Sequence, residues 1–300
     1  MNRVSRCSLA VGALACALWA PLRAQNAFEQ ARAAFRRNQV DSAYNLIQRA
    51  AEAEPNRAEV HFWLGEIAGT KAQRAGIPGG FGPARKSKRG YARAVELSPD
   101  SLDYLDGLAG YLANAPGIVG GDRDSALVLA ERIRRSDPRR GAFLVAAVLV
   151  RGNDRQKARA DSVVDALGRS AAGHRETQLQ VANYWTGRGN IGRALPIYER
   201  LVARDTTDVM ARFGVGRALV MLQREPLRAQ GHLWFAARAP SLHADEPGQA
   251  PNVGAPWWRL GQSYVQLGMP DSARICFEQA LRANPQLQQA RLSLDSLARR

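Results

Sequence analysis

The sequence predicts an all-α protein: an α-solenoid of seven antiparallel helix pairs, closed by a C-terminal capping helix. Three observations predict it. Apolar residues recur at i, i+3, i+4 and i+7, the spacing of one helix face. Small and bulky residues return with a period near 34 between positions 25 and 287. Self-similarity at such a period marks stacked supersecondary units. Finally, residues 287–299 set Leu287, Ala290, Leu294 and Leu297 among polar neighbours, as the open end of a stack requires.

The N-terminus reads as separate from this fold. Arg3 and Arg6 precede an uncharged, Ala- and Leu-rich stretch from Cys7 to Trp19, and Leu22-Arg23-Ala24 ends in a small residue. This is the layout of a secretory signal peptide over residues 1–24, cut after Ala24. The apolar run is shorter than the ~20 residues of a membrane span, which weighs against an N-terminal anchor. A second reading takes Ala13-Leu14-Ala15-Cys16 as a loose lipobox, with Cys16 lipidated. Cleavage after Ala24 removes Cys7 and Cys16, leaves Cys276 as the one cysteine, and lowers the formal charge from +15 to +12. The expectation is an exported protein, periplasmic or secreted, in a Gram-negative cell, with residues 25–300 forming a single repeat domain.

Along that domain the pairs follow in order. Ala43, Ile47, Ala50 and Pro55 mark the second helix of the first pair. Leu64 and Gly65 open the second pair, which Tyr91, Ala94 and Pro99 close. Leu108 and Ala109, then Ala126, Ala130, Ile133 and Pro138, give the third. The fourth has the poorest pattern: Leu144, Ala147, Ala160, Val164 and Leu167. Val181, Ala182 and Trp185, then Ala194, Tyr198 and Leu201, form the fifth, with Gly189 in the turn. Val215, Gly216 and Leu219, then Ala229, Leu233 and Ala236, form the sixth. The seventh, residues 254–287, is the clearest: Trp257, Leu260, Gly261, Tyr264, then Ala273, Phe277, Ala280 and Pro285.

Residues 254–287 resemble a tetratricopeptide repeat, matching the W-x2-L-G-x2-Y…A-x3-F-x2-A-x4-P pattern at every signature position. The resemblance extends in phase over nearly all of residues 25–287. It implies a right-handed superhelix whose groove is lined by the first helix of each pair. Carried over in register, the family's lining positions fall on Phe62, Glu66, Leu179, Asn183, Phe213, Arg217, Val220, Trp258 and Gln262. Trp258 is expected to turn about 100° from its packed neighbour Trp257, given 3.6 residues per turn. It then faces either a ligand or the insertion at 241–253. The family's clamp for a terminal carboxylate needs Lys and Asn at set positions, and only Asn183 and Arg217 come near it.

Three insertions interrupt the period. Gly65 to Pro99 spans 34 residues where Gly261 to Pro285 spans 24, and the excess falls in Ala75–Pro83, read as unable to hold a helix. A second insertion is Ala115–Gly121, and a third is Ser241–Val253. The first two resemble the longer turns of an exported subgroup of the same family.

Motifs for chemistry fail on context. Gly187-Arg-Gly-Asn-Ile-Gly192 spells a dinucleotide fingerprint, but helical periodicity precedes it where a strand is needed. Gly80–Ser87 approaches a phosphate loop, but Arg85 replaces its second glycine and Pro83 removes a donor N–H. None of His61, His174, His232 and His243 sits in a metal or triad context. The expectation is therefore no enzyme, no cofactor and no metal. The charge of +15 comes from 42 basic and 27 acidic residues, and only Lys71, Lys86, Lys88 and Lys157 are lysines. Two basic clusters stand out, Arg85/Lys86/Lys88/Arg89 and Arg132/Arg134/Arg135/Arg139/Arg140. They lack interleaved aromatics for base stacking, and export argues against nucleic acid. The leading expectation is a non-enzymatic protein–protein scaffold that binds a peptide or helix in its groove. The alternatives are a membrane-surface assembly or carrier factor and an accessory domain of an exported enzyme.

Overall fold

The computed structural model describes residues 27–239 and 254–299. The expected signal peptide and the insertion at 241–253 lie outside them. Every regular element among the described residues is helical. Contacts divide the chain into two compact units between Val163 and Val164, and each is described by itself.

The first unit holds α1 (27–36), α2 (Val40–Ala53), α3 (Ala58–Ala75), α4 (Phe81–Leu97), α5 (Leu102–Asn114), α6 (Arg123–Ser136), α7 (Pro138–Leu149) and the start of α8 (Asp154–Ser170). Each of α2 to α6 packs on the helix that follows it, and α3 also meets α5, as α5 meets α7. Helix starts follow from capping. Asp122 accepts the N–H groups of Asp124 and Ser125 ahead of α6, and Asp137 accepts that of Arg140 ahead of α7, with Pro138 in the first turn. These bonds satisfy N–H groups that have no partner inside the helix.

Two expectations need correction in this unit. The stretch Ala75–Pro83 does hold helix: α4 begins at Phe81, so only residues 76–80 form the connection. Pro83 is tolerated because first-turn residues have no intrahelical N–H bond to lose. The ten extra residues therefore serve mainly to lengthen α3 and α4, to 18 and 17 residues. In α7 the register is also different. Ala147 is exposed, while Gly141, Ala142, Val145, Ala146, Val148 and Leu149 are buried. The segment is apolar nearly all round, so periodicity cannot select a face.

The second unit holds the rest of α8, then α9 (Arg175–Gly187), α10 (Ile191–Arg204), α11 (Val209–Leu222), α12 (Pro226–Arg238), α13 (Ala255–Gln266), α14 (Pro270–Ala283) and α15 (Gln288–Ala298). From α9 onward each helix packs on the next, and α11 additionally touches both α9 and α13. The turns after α9 and α13 place Gly189 and Gly268 at φ of 74° and 71°, a conformation a Cβ would strain. The signature residues form the core: Ala182, Ala194, Ala229, Leu233, Ala236, Leu260, Ala273 and Ala280 are fully buried. Leu287 and Ala290 close the end against Ala280, Trp257 and Trp258. Among the described residues the elements are thus all helical, and within each unit successive helices pack in the manner of an α-solenoid.

Candidate protein-binding groove

The first helix of each pair carries the candidate lining residues, and the structure gives them different environments. In the first unit Phe62 is half-buried in an aromatic cluster. Its ring centroid lies 5.1 Å from that of Tyr104 and 5.9 Å from that of Tyr91. Tyr91 donates its hydroxyl to Glu66 at 2.9 Å, and burial together with that carboxylate pushes the phenol far above its ordinary range. Glu66 is thus engaged within its own repeat.

In the second unit Leu179, Phe213 and Val220 are buried. They form the floor between helices and offer little surface to a ligand. Asn183 is exposed and accepts from Tyr198 Oη at 2.8 Å and from Arg217 Nη2 at 2.9 Å. Arg217 Nη2 also donates to Tyr198 Oη at 2.7 Å, and its Cζ lies 5.5 Å from the Phe213 ring centroid. These residues tie α9, α10 and α11 together, and Asn183 and Arg217 occupy equivalent places 34 residues apart.

One helix pair further on, Arg259 donates to Gln262 at 2.9 Å, and its Cζ lies 4.2 Å from the centroid of the Trp258 ring. Of the two neighbours expected for Trp258, the insertion at 241–253 lies outside the described residues. Trp258 is half-buried, and its indole N–H donates to Ser293 Oγ on α15 at 3.1 Å. Gln266 donates to the Val220 carbonyl at 2.8 Å, bridging α13 to α11. A cavity of about 460 Å³ opens between α11, α13 and α15, bordered by Val220, Arg259, Gln262, Gln266, Leu292 and Ser293. Burial, and secondarily the charge of Arg217, lowers the Arg259 guanidinium to about 10.

Of the candidates, then, Val220 and Gln262 border the cavity of the second unit, Trp258 stacks on Arg259 beside it, Asn183 and Arg217 are joined to each other, and Phe62 and Glu66 belong to the first unit. Tyr198, Arg259, Gln266 and Ser293 were not among them. Arg259, Gln262 and Gln266 repeat at i, i+3 and i+7, a helix-face signal present in the sequence. Ser293 carried none, because its partner lies 35 residues away.

The chemical motifs resolve as structure. Gly187 ends α9 and Gly189 makes the turn into α10, so the glycine triplet spans a helix–helix junction. Cys276 is buried, which pushes its thiol up to about 11. Among the described residues no group of three His, Cys, Asp or Glu side chains could hold a metal ion, and no helix is long and apolar enough to cross a membrane. The second basic cluster is largely neutralised. Arg132 pairs with Asp100, Arg134 with Glu131, and Arg140 with both Asp103 and Asp106.

Two segments match the tetratricopeptide repeat family model, residues 28–69 and residues 254–287. No curated protein matches the chain. Among solved structures it is similar to a tetratricopeptide repeat protein from Parabacteroides merdae, with 14% identity and a TM-score of 0.57, over 92% of this chain and 98% of that one. It is also similar to PilF of Pseudomonas aeruginosa, with 12% identity and a TM-score of 0.45, over 91% and 96%.

Proposed function

We propose that this chain, a tetratricopeptide repeat protein, is a non-catalytic scaffold that receives a peptide or helix of a partner protein on the first helices of its pairs, without cofactor or nucleic acid. The observation that carries this reading is the open cavity between α11, α13 and α15. Here Arg259, Gln262 and Gln266 line a recess beside buried Val220. Apolar floor with a few fixed polar groups suits a peptide or an amphipathic helix.

Photo-crosslinking tests it. A crosslinking side chain at Gln262 or Gln266 of the full-length protein in its native cells should trap a protein partner. The same group at Arg274 or Glu278, exposed on α14, should not. Equal trapping from both faces, or none from the groove, overturns the reading.

We also infer that the scaffold works outside the cytoplasm. The support is Arg3 and Arg6, the uncharged stretch to Trp19 and the small residue at Ala24. The intact mass of the protein from native cells should correspond to a chain starting at Gln25. A mass with a lipidated Cys16 at its start would favour the membrane-surface alternative instead.

A further inference from the structure

We propose that two turns of the first unit, α3–α4 and α5–α6, dock this unit on an anionic lipid surface. Ile77 and Ile118 enter the apolar boundary, while Arg74, Arg85 and Lys88 meet the headgroups. Among the described residues of the first unit three large apolar side chains are exposed, and two sit on these turns: Ile77 at 81% and Ile118 at 67%. A single exposed isoleucine is ordinary, whereas a contiguous apolar patch marks a contact surface. Here the two turns are neighbours. Ile77 and Phe81 from one, and Pro116 and Val119 from the other, border one cavity of about 300 Å³, together with Ala72 and Ala84.

Unpaired backbone groups normally keep an irregular segment out of an apolar layer. These turns bond to themselves. Gly80 N–H donates to the Gly76 carbonyl at 2.6 Å, Gly120 N–H to the Gly117 carbonyl at 2.8 Å, and Val119 N–H to the Pro116 carbonyl at 3.1 Å. The Tyr111 hydroxyl donates to the Val119 carbonyl at 2.8 Å. Pro78 and Pro116 have no N–H to desolvate. The tips therefore enter a lipid boundary at little polar cost.

Charge selects the occupant. Arg74 lies in the last turn of α3 and Arg85 one turn into α4. Lys88 reaches the second turn, where a Cβ on Gly120 would lie 2.7 Å from its Nζ. Among the described residues none of the three pairs with an acid, and Arg74 bonds to Asn38. Asp41 and Asp122 are near enough to feel Arg74 and Lys88. Both are engaged, Asp41 by Lys71 and Asp122 by the first N–H groups of α6. Cations beside apolar tips match a layer of anionic headgroups over acyl chains. Two narrow tips offer little area to a folded partner, whose stable contact covers roughly 800 Å² a side, whereas a fluid layer needs no complementary shape.

Co-sedimentation of the protein purified from its native cells tests the docking. One set of vesicles holds equal parts phosphatidylcholine and phosphatidylglycerol, the other phosphatidylcholine alone. The mixed vesicles should bind about tenfold more tightly or better, and added salt should erase the difference. Ile77→Asp with Ile118→Asp should weaken binding to them by a factor on the order of ten or more. Arg85→Gln with Lys88→Gln should weaken it similarly and leave binding to phosphatidylcholine unchanged. Leu227→Asp, at an exposed apolar position of the second unit, should change neither. Any apolar leader still attached is common to all these forms, so the differences report the two turns. An environment-sensitive dye on Ile77→Cys should shift to the blue on mixed vesicles and one on Leu227→Cys should not, a readout independent of whether the double variants fold. Equal binding to both vesicle types, unchanged binding by the isoleucine variant, or a dye at position 77 that stays in water overturns the docking. A crosslinking side chain at Ile118 that traps a protein in native cells, with no vesicle binding by the purified chain, overturns it in favour of a protein contact. Each of these results leaves the groove reading intact, because Gln262 and Gln266 lie in the second unit.

Discussion

A Cβ on Gly65 would lie 2.6 Å from the Tyr91 ring, and one on Gly261 would press closer still on Phe277. The first helix of a pair therefore approaches the second at a single residue, with an aromatic ring laid over the gap. Gly261→Ala should lower the denaturant midpoint by an amount corresponding to about 1–3 kcal/mol, the usual cost of overpacking. An unchanged midpoint would show that the ring moves aside freely. These glycines were legible in the sequence because their spacing to Leu260 and Tyr264 is local. The surroundings of His232 were not. Burial lowers its ionisation below 6.5, and Arg212 and Arg228 lower it further while Glu199 opposes them. Its Nδ1 has no hydrogen-bond partner among the described residues. The unfolded chain thus takes up the proton more readily than the folded one. Stability from this residue is complete above about pH 6.5 and declines as pH falls below it. Melting temperatures measured between pH 7.5 and 5 should fall on acidification, and the fall should be smaller in His232→Gln.

Helices α3 and α4 show how an element absorbs an insertion. At 18 and 17 residues they outgrow the 12 and 14 residues of α13 and α14, α3 by more than a turn and α4 by just under one. The longer pair also approaches closely. A Cβ on Gly90 would lie 2.7 Å from Gly65 N and from the His61 carbonyl, and buried Ser87 donates to the Gly65 carbonyl at 2.7 Å. The obstruction at Gly90 is backbone, which cannot rotate away. Gly90→Ala should therefore destabilise the first unit by about 1–3 kcal/mol, read by hydrogen exchange in α3 and α4, with exchange in α13 and α14 unaffected. The sequence showed the excess length through the displaced Pro99. It did not show where that length went, because Gly and Pro read as breakers unless their place in the helix is known. Pro83 is harmless in a first turn and would be disruptive a turn later. The α7 register was hidden for a different reason: a helix covered on several sides loses the polar stripe that reveals its orientation.

At the scale of the whole chain, lateral bonds repeat at nearly the period of the sequence. Arg140 reaches Asp106 across 34 residues, Arg175 reaches Asp208 across 33, Arg217 reaches Asn183 across 34, and Trp258 reaches Ser293 across 35. Stability in such a stack comes largely from neighbour contacts, so its ends matter disproportionately. Ending the chain at Gln286 removes Leu287 and Ala290 from against Trp257 and Trp258. This should cost roughly 3 kcal/mol, the scale of one or two buried aliphatic side chains. A lower melting temperature together with increased light scattering checks it. The period and the pair count were legible from the sequence because they are encoded in every unit. The groove's polar contacts were not, since each joins residues whose pairing depends on how successive units are laid side by side. The bond from Trp258 to Ser293 makes α15 a wall of the recess as well as a lid on the core. Repeat proteins diversify by gaining and losing whole units. A unit duplicated ahead of α15 would part Trp258 from Ser293 and pair α15 with a copy of α13. The recess would then reform at the new end of the array. In this architecture a change of length is also a relocation of the recess that we propose receives the partner.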